Sequence, residues 1–386
     1  MKTIFLTGAT GFLGGESLVS LSKDKRVEKI YCLIRAVNNE DAEKRLEKIF
    51  AFHDDYFDRK KVIPVAGDLS EESIIDKLKS LNDVDTVIHS AADTSFAPNH
   101  KENIWKVNVI GAGNVAKWAA NLSRLKTFVY VGTSWICGCD RPDRLVCEDE
   151  SPNTEYNQLR DYTRSKTAGE INIRKTIPAN KLLVVRPSSI AGDSRSWMPR
   201  SFVISWAFAV FDLLRLIPTE SKAGMDIIPV DYASRAIVEL LFNENRKFNT
   251  YHISSGRQSA TNMELVTGAV NSSNGNKPPF CFVDHSLMKQ MVAFSKGQLH
   301  DNAELREYAE HLNYWSRTFN SDGSVLQKLL WAINFYYQFV NLGLVFDNSR
   351  LLADTKVGHS EPAHVYMGRN REQLKKIDVI SGDIDP

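Results

Sequence analysis

Residues 3–15 read TIFLTGATGFLGG, and no other stretch narrows so much what the chain can fold into. Thr3, Ile4, Phe5 and Leu6 form an apolar, partly β-branched run suited to a buried parallel strand. Gly8, Gly11 and Gly14 follow, and Glu16 to Leu21 begins a helical pattern. A strand, a glycine turn and a helix N-terminus aim backbone N–H groups and a helix dipole at one spot. The missing side chains let an anionic phosphate come close. The spacing is Gly-x-x-Gly-x-x-Gly, not the Gly-x-Gly-x-x-Gly of the commonest dinucleotide fingerprint. Turns that serve packing alone use the same residues, so the rest of the chain has to decide.

The rest of the first half alternates. Strands are predicted at 29–35, 61–68, 85–92, 126–134 and 181–187, with a charged helix over 40–53 and a long helix over about 101–122. Ser70 is expected to cap a helix whose first turn holds Glu71 and Glu72. Continuous apolar strands spaced by amphipathic helices predict a parallel sheet covered on both faces. Ligands of such sheets sit beyond the carboxyl ends of the strands. That rule lines up Gly8 to Gly14, Arg35, Asp68, Ala91, Thr133 and Pro187 along one edge.

After residue 190 the pattern loosens. A helix is expected over 202–217, a short strand in MDIIPV, a helix from Asp231, a strand over 249–256 and a loop over 271–279. Residues 329–346, LLWAINFYYQFVNLGLVF, carry no charge. Asn334, Gln338, Asn341 and Gly343 interrupt them, whereas a membrane span needs roughly 20 predominantly apolar residues. A core helix, the wall of an apolar substrate pocket and a membrane-facing or dimer surface all remain open readings.

Composition excludes some classes. The net charge of +1 offers no field for nucleic acid. No basic region and apolar run precede the first strand, so no secretory leader is predicted and a cytoplasmic location is expected. Five irregularly spaced cysteines suit reduced thiols, and nine scattered histidines supply no convergent set for a metal.

Chemistry enters at strand ends. A nucleotide on this edge is distinguished by its ribose. The second strand ends in Arg35 with no acid before Glu40, which suits a 2′-phosphate and favours NADP over NAD. Arg45 could return along the following helix as a second clamp. Tyr162 and Lys166, in DYTRSK, share one helical face. A lysine ammonium near a phenol stabilises phenolate and is expected to lower the tyrosine pKa. With Thr133 or Ser134 upstream, the pair makes a proton-donating set able to hold a carbonyl.

The segments TGATGFLG, GDLS, HSAADTSF, VNVIGAGNV, YVGTSWICG, YTRSK and VVRPSSIAG stand in the order found in extended short-chain dehydrogenase/reductases. YCLIRA followed by AEKRL, and VFDNSRL further on, resemble the branch holding fatty acyl-CoA reductases and terminal thioester reductase domains. The resemblance covers residues 1 to about 260 well and the remainder poorly. It implies a Rossmann-type doubly wound α/β sheet over 1–190, with part of 226–256 returning to it. Residues 191–386 would form a smaller, mainly helical, aromatic-rich substrate-binding subdomain.

It further implies Thr133, Tyr162 and Lys166 as catalytic residues. Gly8, Gly11 and Gly14 would cradle the NADPH pyrophosphate, with Thr7, Thr10, Phe12 and Leu13 also binding the cofactor and Arg35 and Arg45 on the 2′-phosphate. Asp68 and Leu69 would flank adenine, Ala91, Ala92 and Asn108 would belong to the cofactor cleft, and Pro187 and Ser188 would lie near the carboxamide. Lys166 would also bind the nicotinamide ribose. Relatives often carry serine directly before the catalytic threonine, where this chain has Gly132, so Ser134 could share the role of Thr133. The expected substrate is an acyl thioester on CoA or on an acyl-carrier protein, reduced to aldehyde or further to alcohol. A ketone or nucleotide-sugar reductase, epimerase or dehydratase is the alternative, and a non-catalytic NADPH-binding protein is another. Trp315, Phe319, Trp331, Phe335 and Tyr336 are candidates for lining an apolar acyl pocket.

Overall fold

In the computed structural model of the chain, seven strands form one parallel sheet. They are β1 (Lys2–Thr7), β2 (Val27–Ile34), β3 (Val62–Ala66), β4 (Thr86–His89), β5 (Thr127–Val131), β6 (Leu182–Pro187) and β7 (Thr250–Ile253). The structure describes all residues except 97, 196–202, 272–276, 298–302, 320–322, 370 and 372–386. The spatial order is β7-β6-β5-β4-β1-β2-β3. Ile4 of β1 faces Ile30 of β2 on one side and Thr86 of β4 on the other, so the chain reverses its winding direction at β1. That reversal opens a crevice beyond the strand ends, where such sheets bind ligands.

Apolar side chains on both faces of the sheet explain its continuous strand sequences. On one face Ile4, Leu6, Val129 and Val185 pack against α1 (Phe12–Lys23), α2 (Asn39–Phe52) and, near the sheet edge, a helix at Val230–Phe242. On the other, Phe5, Val87, Phe128 and Val184 meet Trp118 and Ile173. Ile173 belongs to α3 (Asp161–Thr176). A third cluster gathers Phe208, Phe211, Met291, Trp315, Leu330 and Tyr337, residues from the second half of the chain. Leu330 and Tyr337 lie on a helix spanning Ser324–Val340, which we call α4. Among the described residues no helix is long and apolar enough to cross a membrane.

The chain after residue 340 returns to the sheet. Val345–Phe346 pairs in parallel with Leu145–Val146. Leu351 then joins the sheet core, and Asp354 accepts a 2.7 Å hydrogen bond from the Tyr251 hydroxyl at β7.

Three local expectations differ. Ser70 caps no helix: its N–H and hydroxyl both turn back to Asp68 Oδ1, at 2.9 and 2.7 Å, and the helix starts only at Ile74. The helical run from Lys101 ends at Ala120 and is interrupted by a π-helical turn at Lys106–Gly111. The helix expected over 202–217 spans Val203–Leu214, residue 202 lying outside the described residues. Arg215 takes φ +62°, held by bonds from its guanidinium to Asp212 and Asn271, and Leu216–Ile217 continues as a strand paired with Cys281–Phe282. Of the loop expected over 271–279, residues 272–276 lie outside the described residues.

Candidate active site

The glycine turn is dictated by crowding. Gly8 has φ +75°, and a Cβ there would stand 2.7 Å from Ala91 N; a Cβ on Gly14 would run into Gly8 O. The turn therefore lets β1, the end of β4 and the start of α1 converge. No side chain caps α1, and its first turn holds no acid, so its leading N–H groups remain open to an anion. A pyrophosphate-bearing nucleotide fits such a cradle. Thr7 works from behind: buried, it bonds His89 Nδ1 at 2.9 Å and accepts the Ala91 N–H at 3.1 Å, tying the two strand ends together.

From this turn a cavity of about 980 Å³ runs along the strand ends. Its wall includes Gly8, Thr10, Gly11, Phe12, Leu13 and Gly14, then Arg35, Arg45, Asp68, Leu69, Ala91 and Ala92. Thr133, Tyr162, Lys166, Pro187 and Ser188 line it as well. Arg45 reaches back as its position on α2 suggests and donates to the Arg35 carbonyl. Two of the candidate cofactor residues do not line the cavity. One is Thr7; the other is Asn108, buried on the π turn, whose Nδ2 donates to Asp93 O and Ser165 Oγ at 2.9 Å each. A Cβ on Gly169 would lie 2.5 Å from Asn108 O, so the π turn and α3 pack backbone to backbone.

Thr133 and Tyr162 both line this cavity, and the Thr133 side chain favours the ionised form of the Tyr162 phenol. Ser134 faces elsewhere: it is fully buried and donates to Pro187 O at 3.2 Å. Burial pushes the Tyr162 phenol up to about 12, with Thr133 opposing part of the rise. The expected lowering of this pKa by Lys166 is therefore absent here. Lys166 Nζ instead donates to Val131 O at 2.7 Å and sits 4.7 Å from the centre of the Tyr130 ring. Burial lowers the Lys166 ammonium to about 8, and Glu170 pulls it partly back. A phenol that keeps its proton at neutral pH is equipped to donate it.

Helix α3 is held to β6 by a buried ion pair. Arg186 donates to Glu170 at 2.6 and 3.1 Å, and Arg174 donates to the same carboxylate at 2.9 Å. Burial alone would raise the Glu170 pKa, but the two guanidiniums more than offset it and leave it below the usual value.

Beyond Tyr162 the cavity turns apolar. Phe96 lies 5.9 Å from the Tyr162 ring, 5.7 Å from Tyr336 and 5.4 Å from Phe339, and Trp135 packs edge-on at 4.9 Å from Phe339. Phe208, Phe211, Met225, Val340 and Leu344 complete this end. Of the five aromatic candidates only Tyr336 lines it. Trp315 and Phe319 are buried in the third cluster because their helix and its end face Leu214 and its neighbours; Trp315 Nε1 donates to Leu214 O at 2.7 Å. Trp331 is 54% exposed, and Phe335 stacks under the Arg160 guanidinium at 4.3 Å. Phe96, Trp135, Phe339 and Asp226 escaped the sequence reading. The uncharged run holding Phe339 was visible, but its inner face was not.

With this geometry in place, a family model described as male sterility protein matches residues 6–237. The chain belongs to that family. It is an extended short-chain dehydrogenase/reductase of the fatty acyl-CoA reductase and thioester reductase branch. The isonitrile lipopeptide synthase of Mycobacterium tuberculosis is 28% identical over 66% of this chain and 11% of its own length. A putative fatty acyl-CoA reductase of Drosophila melanogaster is 24% identical over 70% of this chain and 62% of its own. The chain thus spans less than two thirds of either relative. The crystal structure of the terminal R domain from the myxalamid PKS-NRPS pathway shares the fold, with a TM-score of 0.73 at 20% identity over 97% of this chain and 91% of that one.

Proposed function

We propose that this chain is an NADPH-dependent reductase of acyl thioesters carried on CoA or a carrier protein. The observation carrying this reading is one continuous cavity. It joins the glycine turn to Thr133 and Tyr162 and then to an aromatic chamber. Residues 1–190, with β7 and the helix before it, would bind the cofactor, and the later helices would hold the acyl chain.

Gly8 to Gly14 would cradle the pyrophosphate, Arg35 and Arg45 the 2′-phosphate, and Lys166 the ribose. NADPH supplies a hydride when bound. Thr133 and Tyr162 would hold the thioester carbonyl, and Tyr162 would give its proton to the oxygen as negative charge develops there. Collapse of the resulting hemithioacetal releases thiol and aldehyde. The apolar chamber favours an acyl chain over the nucleotide sugars of other extended members.

The test is NADPH oxidation with a panel of acyl-CoA, acyl-carrier-protein, ketone and nucleotide-sugar substrates. Aldehyde or alcohol from the thioesters alone is the expected outcome. Turnover confined to ketones or sugars would replace this reading, and NADPH binding without any turnover would leave a binding protein.

A further inference from the structure

Most buried carboxylates of this chain have a cation at hand. Glu170 has Arg174 and Arg186, Glu16 and Asp193 share Arg195, and Glu148 has Arg350 at 3.9 Å. Asp226 differs. It is 3% exposed, lines the cavity, and has no cationic partner among the described residues. Its two oxygens are each met by a backbone donor: Ser255 N at 2.8 Å on Oδ1 and Phe346 N at 3.2 Å on Oδ2. Two N–H groups that can only donate suit the ionised carboxylate. Burial works the other way and leaves the pKa raised.

A carboxylate set in a low-dielectric wall without a counter-ion acts strongly on whatever occupies the space beside it. That space is bounded by Pro187 and Ser188, at the end of β6, and Asp226 O accepts the Ser189 N–H at 3.3 Å. We propose that Asp226 is the counter-charge for the oxidised nicotinamide ring, so that the site favours NADP+ over NADPH more than it would without this carboxylate. This rests on the cofactor reading given under Proposed function.

The ring of the reduced form is neutral and that of the oxidised form carries one positive charge. Hydride transfer breaks a ring C–H bond and forms one at the carbonyl carbon, moving two electrons with the hydrogen. The carbonyl oxygen takes its proton from Tyr162. Asp226 offsets the positive charge left on the donor, which makes the bound reduced cofactor a stronger hydride donor.

Dissociation constants of NADP+ and NADPH, measured by titration calorimetry without substrate, test this on the unmutated chain, Asp226→Asn and Asp226→Glu. An opposite charge within a few ångströms is worth about tenfold or more. Asp226→Asn should therefore lose about tenfold in NADP+ affinity and much less in NADPH affinity, while Asp226→Glu keeps the ratio near that of the unmutated chain. Equal loss for both forms in Asp226→Asn, or no loss in a folded variant, overturns the proposal. If neither variant folds, a third replacement decides. Asp226→Ser, which removes the charge with a smaller side chain, then takes their place: it should lose about tenfold in NADP+ affinity and much less in NADPH affinity, and equal loss for both forms would overturn the inference. If the unmutated chain binds neither form, the cofactor reading itself falls, and this inference with it.

Discussion

The two sides of the cavity are built by different means. The sheet side takes its wall from residues just past strand ends, so a regular alternation of strand and helix fixes where each one stands. The opposite side takes Phe208, Phe211, Tyr336, Phe339 and Val340 from helices packed around a separate apolar cluster. There no turn geometry fixes position; packing does. A phosphate cradle needs a particular backbone, whereas an apolar wall needs only bulk, so the first leaves a motif and the second does not. Chemistry should accordingly fail sharply on the sheet side, and specificity should drift gradually on the helical side.

The largest expected break is Tyr162→Phe. It removes one hydroxyl and keeps the ring against Phe96, so folding and NADPH binding should survive. Carbonyl reduction should fall about 10²–10⁴-fold in steady-state assays, the usual span for a positioned general acid. Full activity would make the Thr133–Tyr162 pair vestigial. Next comes Arg35→Ala, which removes a charge-assisted contact of roughly 1.5–3 kcal/mol and should cost about ten- to a hundredfold in NADPH affinity. NADH affinity should barely change. Equal binding of both cofactors by the unmutated chain would count against Arg35 as the 2′-phosphate clamp.

The same asymmetry sets how much was legible in the sequence. The parallel sheet, its edge and the residues along it could be read because each follows an apolar strand at its carboxyl end. The π turn was hidden, since VNVIG has the apolar spacing of an ordinary helix and the turn's partner, Gly169, lies far off in sequence. The return of residues 345–354 to the sheet depends on a two-strand pairing with Leu145–Val146, which no local pattern encodes. The state of Tyr162 was misjudged for a related reason. Sequence spacing places Lys166 on its helical face, but the ammonium is drawn to Val131 O, and burial governs the phenol.

Glu148 lies at the seam between these regions. Its carboxylate accepts His252 N at 2.9 Å and Arg350 N at 3.0 Å, pinning the returning segment to β7. Burial raises its pKa from 4.5 to about 7, against the pull of those two N–H bonds. Between those values the folded chain holds a proton that the unfolded chain has lost, so this contribution to stability falls as pH rises. The expected loss is on the order of 3 kcal/mol. His53, His89 and His252, all lowered by burial, slope the other way below pH 6.5 but do so in any variant that keeps them. Glu148→Gln should therefore gain in melting temperature relative to the unmutated chain as pH goes from 5 to 8. Parallel curves would place the titration elsewhere.

The smallest effect belongs to the helical side. Each methylene buried in the aromatic chamber contributes about 0.8 kcal/mol, close to fourfold in kcat/KM. Activity should climb with acyl length until the space beside Phe96, Tyr336 and Phe339 is full and then level off. Phe339→Ala removes a ring that touches both Phe96 and Trp135, so the plateau should move to longer chains, with short-chain activity falling only modestly. Trp331→Ala, on the exposed face of the same helix, should leave the length profile unchanged. A flat response from acetyl to long-chain thioesters, or a Trp331→Ala profile shifted as far as that of Phe339→Ala, would mean that α4 serves packing alone and that acyl selectivity is set on the sheet side after all.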